Sequence, residues 1–316
     1  MAYKLTPIEV KEKYGPMFCK GLYTIVDEKN GVAKIIETCS ARGPIEWDTV
    51  NRKRTGGVIT DMELEGCTLN MDLILGKKEL RFGPASAELG GQGIEEIWVE
   101  GDTVHTKWKG IAGAGVGVGA CLPQADGVIE TIYPDDFKIG GAHLACTEIV
   151  SQRMERIIIG VDDTDTKEKG ASWVTTMKMA RACPYGKFLE HKIIQLNPEA
   201  PNKTTNCCST AISFAVRPDE ADKLIKFCRD FIAKDTVSDD TVMTVYRGLK
   251  QSKALVDWSW KAKSILYTPE EAVKIAEEND VEIVYITGKK GVIGAVAAIG
   301  CFDLGLRSAG IPEDFE

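Results

Sequence analysis

Histidine is scarce in this 316-residue chain, with three copies at His105, His143 and His191. So few imidazoles give little basis for a histidine-centred catalyst, and each is expected to be a hydrogen-bonded structural residue. No Cys-x-x-Cys pair occurs among the ten cysteines, which removes the usual ligand spacing of a zinc ribbon. The neighbours Cys207 and Cys208 would point to opposite faces of a strand and read as packing residues. The cysteines have no regular spacing, and the opening residues Met1 to Val10 lack the apolar run of a secretory leader. A disulfide scaffold is therefore not expected, and reduced thiols in a cytoplasmic protein are. No window approaches the roughly 18 apolar residues of a membrane span. Positive charge is also in deficit, with 39 Lys and Arg against 47 Asp and Glu and a formal net charge of -8. That balance disfavours broad adhesion to nucleic acid or to an anionic membrane.

What the chain does have is 44% hydrophobic residues, enough for one large core or two ordinary ones, and length favours more than one domain. From Leu22 to about Lys109 the apolar pattern is mostly short and strand-like. Ile97 to His105 reads as a hairpin turning at Gly101-Asp102. In Gly110 to Gly119, glycine alternates from Gly113 onward. The segment fits close backbone packing better than a phosphate-cradling loop, because no Lys-Ser/Thr follows it. Residues Pro134 to Arg156 read as a connector broken at Gly140-Gly141, with a short helix from His143 to Met154.

Beyond that point strands and helices alternate. Ile157 to Val161 reads as a buried strand and Ala171 to Ala182 as a helix. Strands are expected at Lys192 to Leu196, Ala211 to Val216 and Glu282 to Ile286. Helices are expected at Pro218 to Lys234, Ser252 to Ser264, Pro269 to Asn279 and Val292 to Ile299. The fold class is α+β, with a β-rich first domain over 1–150 and an alternating second half.

Chemistry concentrates in Asp162, Asp163 and Asp165, three carboxylates at the end of a buried strand. Burial and mutual repulsion raise carboxylate pKa values, so such a group needs cations or donors around it. A hard cation such as Mg2+ resolves the conflict, since it takes oxygen ligands and commonly bridges carboxylates to substrate phosphates. An acidic turn capping the next helix is the plainer alternative.

Three segments then resemble, in order, motifs of one family. They are Gly160-Val161-Asp162-Asp163-Thr164-Asp165; Leu196-Asn197-Pro198 with Pro201 and Lys203-Thr204; and Gly291-Val292-Ile293-Gly294-Ala295-Val296-Ala297-Ala298-Ile299-Gly300. They are similar to the kinase-like and ferredoxin-like parts of the archaeal synthetase that attaches agmatine to the wobble cytidine of isoleucine tRNA. The likeness covers about residues 157–303.

It implies a kinase-like part over 151–240, a ferredoxin-like part over 241–316, and ATP-dependent phosphoryl transfer with Mg2+. Carried over by position, Asp162, Asp163 and Asp165 hold metal and phosphates, with Asp163, Asp165 and Lys203 catalytic. Asp162, Thr164, Asn197, Thr204, Gly291 and Gly294 bind the nucleotide. Where that family has Lys-Thr-Arg-Gly-Asn, this chain has Lys203-Thr204-Thr205-Asn206. Thr175 and Thr176 align ambiguously with the family's paired threonines and take no covalent role.

The front domain joined to this second half resembles methanogenesis marker protein 11, a family of methanogenic archaea, which implies a link to methanogenesis. The synthetase holds tRNA with an OB-fold and a zinc ribbon, and neither is expected here. Together with the net charge this disfavours tRNA as acceptor. An unidentified small molecule or protein acceptor is expected instead, with a protein partner conceivable through residues 1–150. Two other readings remain: a haloacid-dehalogenase-like phosphatase using Asp163 and Asp165 with Asp239-Asp240 as distal acids, and a non-catalytic ATP-binding sensor or assembly protein.

Overall fold

A computed structural model describes residues 2–82, 88–201, 203–204 and 206–315, so Thr205 of the Lys203 segment lies outside the described residues. The chain divides into two compact units, Met1–Met154 and Glu155–Glu316. Helices and largely antiparallel strands are mixed throughout, which is the α+β class expected from the sequence.

The first unit contains β1 (Tyr3–Leu5), α1 (Pro7–Tyr14), β2 (Cys19–Asp27), β3 (Val32–Cys39), α2 (Arg42–Thr55), β4 (Ile59–Glu65), β5 (Thr68–Ile74) and β6 (Gly76–Lys77). It continues through β7 (Gly91–Glu100), β8 (Thr103–Ile111), α3 (Gly113–Val116), β9 (Val128–Tyr133) and the first part of β10 (Leu144–Asp162). The strands run β4-β5-β3-β2 and β6-β7-β8, and residues of β10 pair with β2, β8 and β9. The Gly101-Asp102 turn joins β7 to β8, with Glu100 opposite Thr103.

Two expectations are corrected in this unit. The span expected as connector and helix from His143 to Met154 is strand. Its period-two pattern is visible in retrospect, since Ala145, Thr147 and Ile149 are buried while Leu144 and Cys146 are not. The glycine-rich run leaves β8 after Ile111, opens as α3 and widens into a π-type turn over Gly117–Cys121. It is packed as expected: a Cβ on Gly110 would stand 2.6 Å from the Ala114 carbonyl oxygen. Finally, α2 breaks the run of strands. Its inward face carries Asp48, Asn51, Arg52 and Thr55, so no apolar stripe announces it.

That polar face is closed by partners. Arg52, fully buried, donates to Glu37 on β3 and to Gln92 on β7 (3.3 Å), and its guanidinium lies 5.1 Å from the Trp108 ring centre. Gln92 in turn donates to Asp48. Burial drives the Asp48 carboxyl up to about 7, with Arg52 opposing the shift.

The second unit is a five-stranded antiparallel sheet with helices on both faces. Its helices and strands are α4 (Ser172–Ala182), β11 (Lys187–Gln195), β12 (Cys208–Val216), α5 (Ala221–Asp235), β13 (Val242–Arg247), α6 (Lys253–Lys261), α7 (Pro269–Glu277), β14 (Glu282–Tyr285) and α8 (Val292–Gly300). The strand order is β11-β12-β10-β13-β14, with residues 155–162 of β10 in the centre. Alternate residues of β10 serve the two layers. Ile157, Ile159 and Val161 pack with Met179 of α4 and with Leu224, Cys228 and Ile232 of α5. Ile158 packs with Leu255 of α6 and with Val296 and Ile299 of α8. A strand covered on both faces must be apolar at every position, which explains the unbroken run. The sequence reading lacks β13, a central strand with Val242 to Tyr246 all buried.

Lys263, after α6, is fully buried, and its ammonium donates to three carbonyl oxygens: Gln195 (2.7 Å), Ser308 (2.8 Å) and Gly310 (2.8 Å). The Gln195 side chain donates to the carbonyls of Leu196 and Asn206, closing the neck of the segment that carries Asn197, Lys203 and Thr204.

The buried cluster of the first unit makes stability depend on pH. A folded-state carboxyl at about 7, against an ordinary 3.8, keeps a proton that the unfolded chain releases between those values. Stability therefore falls as pH rises through that window, by at most about 1.4 kcal/mol per pH unit for one group. Asp48→Asn is expected to flatten this dependence between pH 5 and 7 in urea unfolding. An unchanged slope in the variant would reject the assignment.

Candidate functional site

The aspartate loop leaves the end of β10, where the strand lies directly under the backbone of α8. Gly160 makes this contact: a Cβ there would meet the Ala295 carbonyl oxygen and Thr244 Oγ1, each at 2.5 Å. The Thr244 hydroxyl donates to the same Ala295 oxygen at 2.7 Å. After Asp162 the chain turns sharply, with Asp163 at φ 55°, a left-handed conformation that Asp tolerates better than most residues. The Asp163 carbonyl accepts from the Thr241 hydroxyl at 2.6 Å, which fixes the turn.

The turn sends the carboxylates in different directions. Asp162 faces the first turn of α8, where a Cβ on Gly294 would fall on its Oδ2. Asp163 faces Asp240 and Lys290, which are themselves paired at 2.6 Å. Asp165 meets the Ser172 hydroxyl (3.4 Å) and the Thr204 hydroxyl (3.5 Å), both at the long limit of hydrogen bonding. Burial, then the charge of Asp163, pushes Asp162 well above the carboxylate range. Burial, with Asp240 and Asp165, lifts Asp163 to about 6, and Lys290 opposes it. Burial also raises Asp165, against hydrogen bonds from its own amide, Ser172 and Thr204.

The other expected residues divide into those that reach this loop and those that do not. Thr204 does, through Asp165, and Gly294 does, by leaving room for Asp162. Gly291 does as well: its N–H donates to the Asp240 carbonyl at 3.1 Å, and a Cβ there would lie 2.9 Å from the Asp162 carbonyl oxygen. Asn197 is buried and accepts from the Glu199 N–H at 2.8 Å, holding its own turn. Thr164 is buried, and its hydroxyl donates to Ser172 Oγ at 3.0 Å, so it is occupied internally. Lys203 is exposed and donates to the Pro198 carbonyl within its own segment.

Sequence reasoning passed over Ser172, Thr241 and Lys290. The two glycines flanking Lys289-Lys290 were a readable sign for the last; nothing local marked the first two. Asp240 appeared only as a distal acid of the phosphatase reading. That reading gave no role to the Leu196 to Thr204 segment or the Gly291 to Gly300 segment, yet Thr204, Gly291 and Gly294 reach the aspartate loop.

Among the described residues no three His, Cys, Asp or Glu side chains converge in a metal-holding arrangement. The donor chemistry still suits a hard cation, because Asp162, Asp163 and Asp165 are all oxygen donors, whereas the Asp240 carboxylate is taken up by Lys290. On the α4 side, Thr164, Lys169, Thr175, Lys178 and Asp235 line a cavity of about 310 Å³, in which Thr175 donates to Asp235 at 2.8 Å.

Residues 158–217 match the family described as the TiaS TCKD domain. Over 284 residues the chain is 38% identical to the uncharacterized protein MJ0921 of Methanocaldococcus jannaschii, covering 89% of this chain and 93% of that one. It is 26% identical over 156 residues to the isoleucine-tRNA 2-agmatinylcytidine synthetase TiaS of Haloquadratum walsbyi, covering 46% of this chain and 33% of the synthetase. Among solved structures, the complex of TiaS with isoleucine tRNA and ATP aligns at 22% identity and TM-score 0.41, covering 46% of this chain and 36% of that one. The chain thus spans about a third of the synthetases it matches. The expectation that disfavoured tRNA finds no support here, since one of these relatives is a tRNA-modifying synthetase by name.

The contacts of the two glycines predict different costs. Gly160→Ala sets a methyl against fixed backbone and is expected to lose about 1–3 kcal/mol. Gly294→Ala displaces only a side chain and gains helix propensity of about 1 kcal/mol, so it should lose less. Thermal unfolding of both variants checks this ranking, and the reverse order would reject the packing account.

Proposed function

We propose that this chain, which belongs to one family with the protein MJ0921 of M. jannaschii, is an enzyme that binds ATP with Mg2+ and uses phosphoryl transfer to activate an acceptor. The observation that carries this reading is a convergence. Three segments far apart in the sequence meet at the aspartate loop, through Thr204 on Asp165 and through Gly291 and Gly294 on Asp162. The match of residues 158–217 to the TiaS TCKD family supports the same class of chemistry.

Phosphoryl transfer asks a protein mainly for positioning and for neutralisation of charge. In this reading Asp162, Asp163 and Asp165, which point apart at the turn, would draw together on one cation, which would offset their repulsion and polarise phosphate oxygens. Thr204 and Asn197 edge the nucleotide, Lys203 serves from the same segment, and the amides at Gly291 and Gly294 lie at the positive end of α8. The acceptor is a small molecule, a protein side chain or tRNA, and the first unit supplies contacts to it or to a partner. A role in methanogenesis and a cytoplasmic location complete the proposal; no described helix is long and apolar enough to cross a membrane.

Calorimetry tests the reading. ATP is expected to bind with Mg2+ and to bind at least about tenfold more weakly in chelator, a difference of about 1.4 kcal/mol. Asp163→Asn should lose a similar amount while keeping the wild-type melting curve. Equal affinity in chelator and in Mg2+ would refute it. Incubation with ATP, scored for ADP, AMP and phosphate, separates an enzyme from a sensor that binds without turnover.

A further inference from the structure

We propose that Lys290 is the phosphate-neutralising cation of this site and that Asp240 is its resting partner, so that ATP binding exchanges the Asp240 carboxylate for phosphate oxygens at Lys290 Nζ. The proposal rests on the ATP reading above. Lys290 stands immediately before α8, with Gly291 at the N-cap and no acidic residue in the first helical turn. A cation at that end of a helix is opposed by the helix dipole, a cost that a bound anion would relieve. Its ammonium pairs with Asp240 Oδ2 at 2.6 Å, and its side chain is 67% exposed, so the charge is free to change partner.

The backbone beneath it is not free. Ile286 and Thr287 donate to the Thr241 carbonyl (3.1 and 3.3 Å), and Gly291 donates to the Asp240 carbonyl (3.1 Å). The Thr287 hydroxyl accepts from the Thr241 N–H at 3.0 Å and donates to the Ser238 carbonyl at 2.8 Å. Thr241 is tied by its hydroxyl to the Asp163 carbonyl. The lysine therefore has a fixed base beside the aspartate loop and a mobile charge above it. Lys203 contrasts with it: it donates to a carbonyl of its own segment and has no carboxylate partner in that bond. A polyphosphate seated beside Asp162, Asp163, Asp165 and Asp240 is repelled by them and needs positive charge there, and Lys290 is already placed beside Asp240 and Asp163.

The test is calorimetry of the full chain at fixed Mg2+ with ATP, ADP and AMP. Lys290→Met is expected to weaken ATP by about tenfold or more, ADP by less and AMP hardly at all, and Lys290→Arg to restore most of the loss. The neighbouring Lys289→Met, which removes the same charge from a residue lying over Tyr285, should stay within about twofold of wild type. Asp240→Asn frees the lysine and should tighten ATP. Wild-type ATP affinity in Lys290→Met, an equal loss in Lys289→Met, or weaker ATP binding in Asp240→Asn each overturns the exchange while leaving the ATP reading intact. Failure of the wild type to bind ATP overturns both.

Discussion

The contact between the backbone of β10 and the backbone of α8 is the constraint from which the site follows. Gly160 removes a side chain from the strand and Gly294 removes one from the helix. With both absent, the strand end and the first helical turn come close enough for the Asp162 carboxylate to occupy the space of the missing Cβ. A larger residue at Gly160 would lift α8, and with it the Gly288 to Gly291 segment, away from Asp162 and Asp240, whereas one at Gly294 would displace the Asp162 carboxylate. The rest of the unit supports that approach, with Thr244 on β13 donating to the helix carbonyl at the point of contact.

The two units bury carboxylates in different ways. In the first, Asp48 and Glu37 surround a fully buried arginine, and Gln92 bridges the set, so charge and hydrogen bonding are nearly closed within the protein. Such a network fixes geometry and gains little from an outside partner. In the second, burial raises the proton affinity of Asp162, Asp163 and Asp165, Asp163 and Asp165 add to it at Asp162, Asp240 and Asp165 add to it at Asp163, and Lys290 opposes it at Asp163. The first arrangement is structural, whereas the second is chemically incomplete, as expected of residues that work on a ligand.

Much of the second unit was legible because its elements carry conventional signals. Ile157 to Val161 is apolar at every position, Thr268-Pro269-Glu270-Glu271 opens α7 with a capping box, and the aspartates stand out after a buried strand. What escaped reading had its signal inverted or shared. The inward face of α2 is polar, so periodicity could not reveal it. The alternation in Ala145 to Ile149 was short and lay beside a glycine pair, which drew the eye to a connector. Lys203 takes its assignment from the resemblance, whereas no motif names Lys290. The chain's own carbonyl at Pro198 satisfies the first, and proximity in sequence says nothing about which lysine a distant aspartate meets.

The buried ammonium of Lys263 also sets an order in time. Two of its three acceptors, Ser308 and Gly310, follow it by 45 and 47 residues. During synthesis the third acceptor, Gln195, and the aspartate loop emerge long before those carbonyls exist. Domains fold as their segments leave the ribosome, at about 5–20 residues per second. The neck that holds Asn197 and Thr204 is thus completed only after Gly310 has been made, and a nascent chain stalled before residue 308 carries every residue of the site without its final lock.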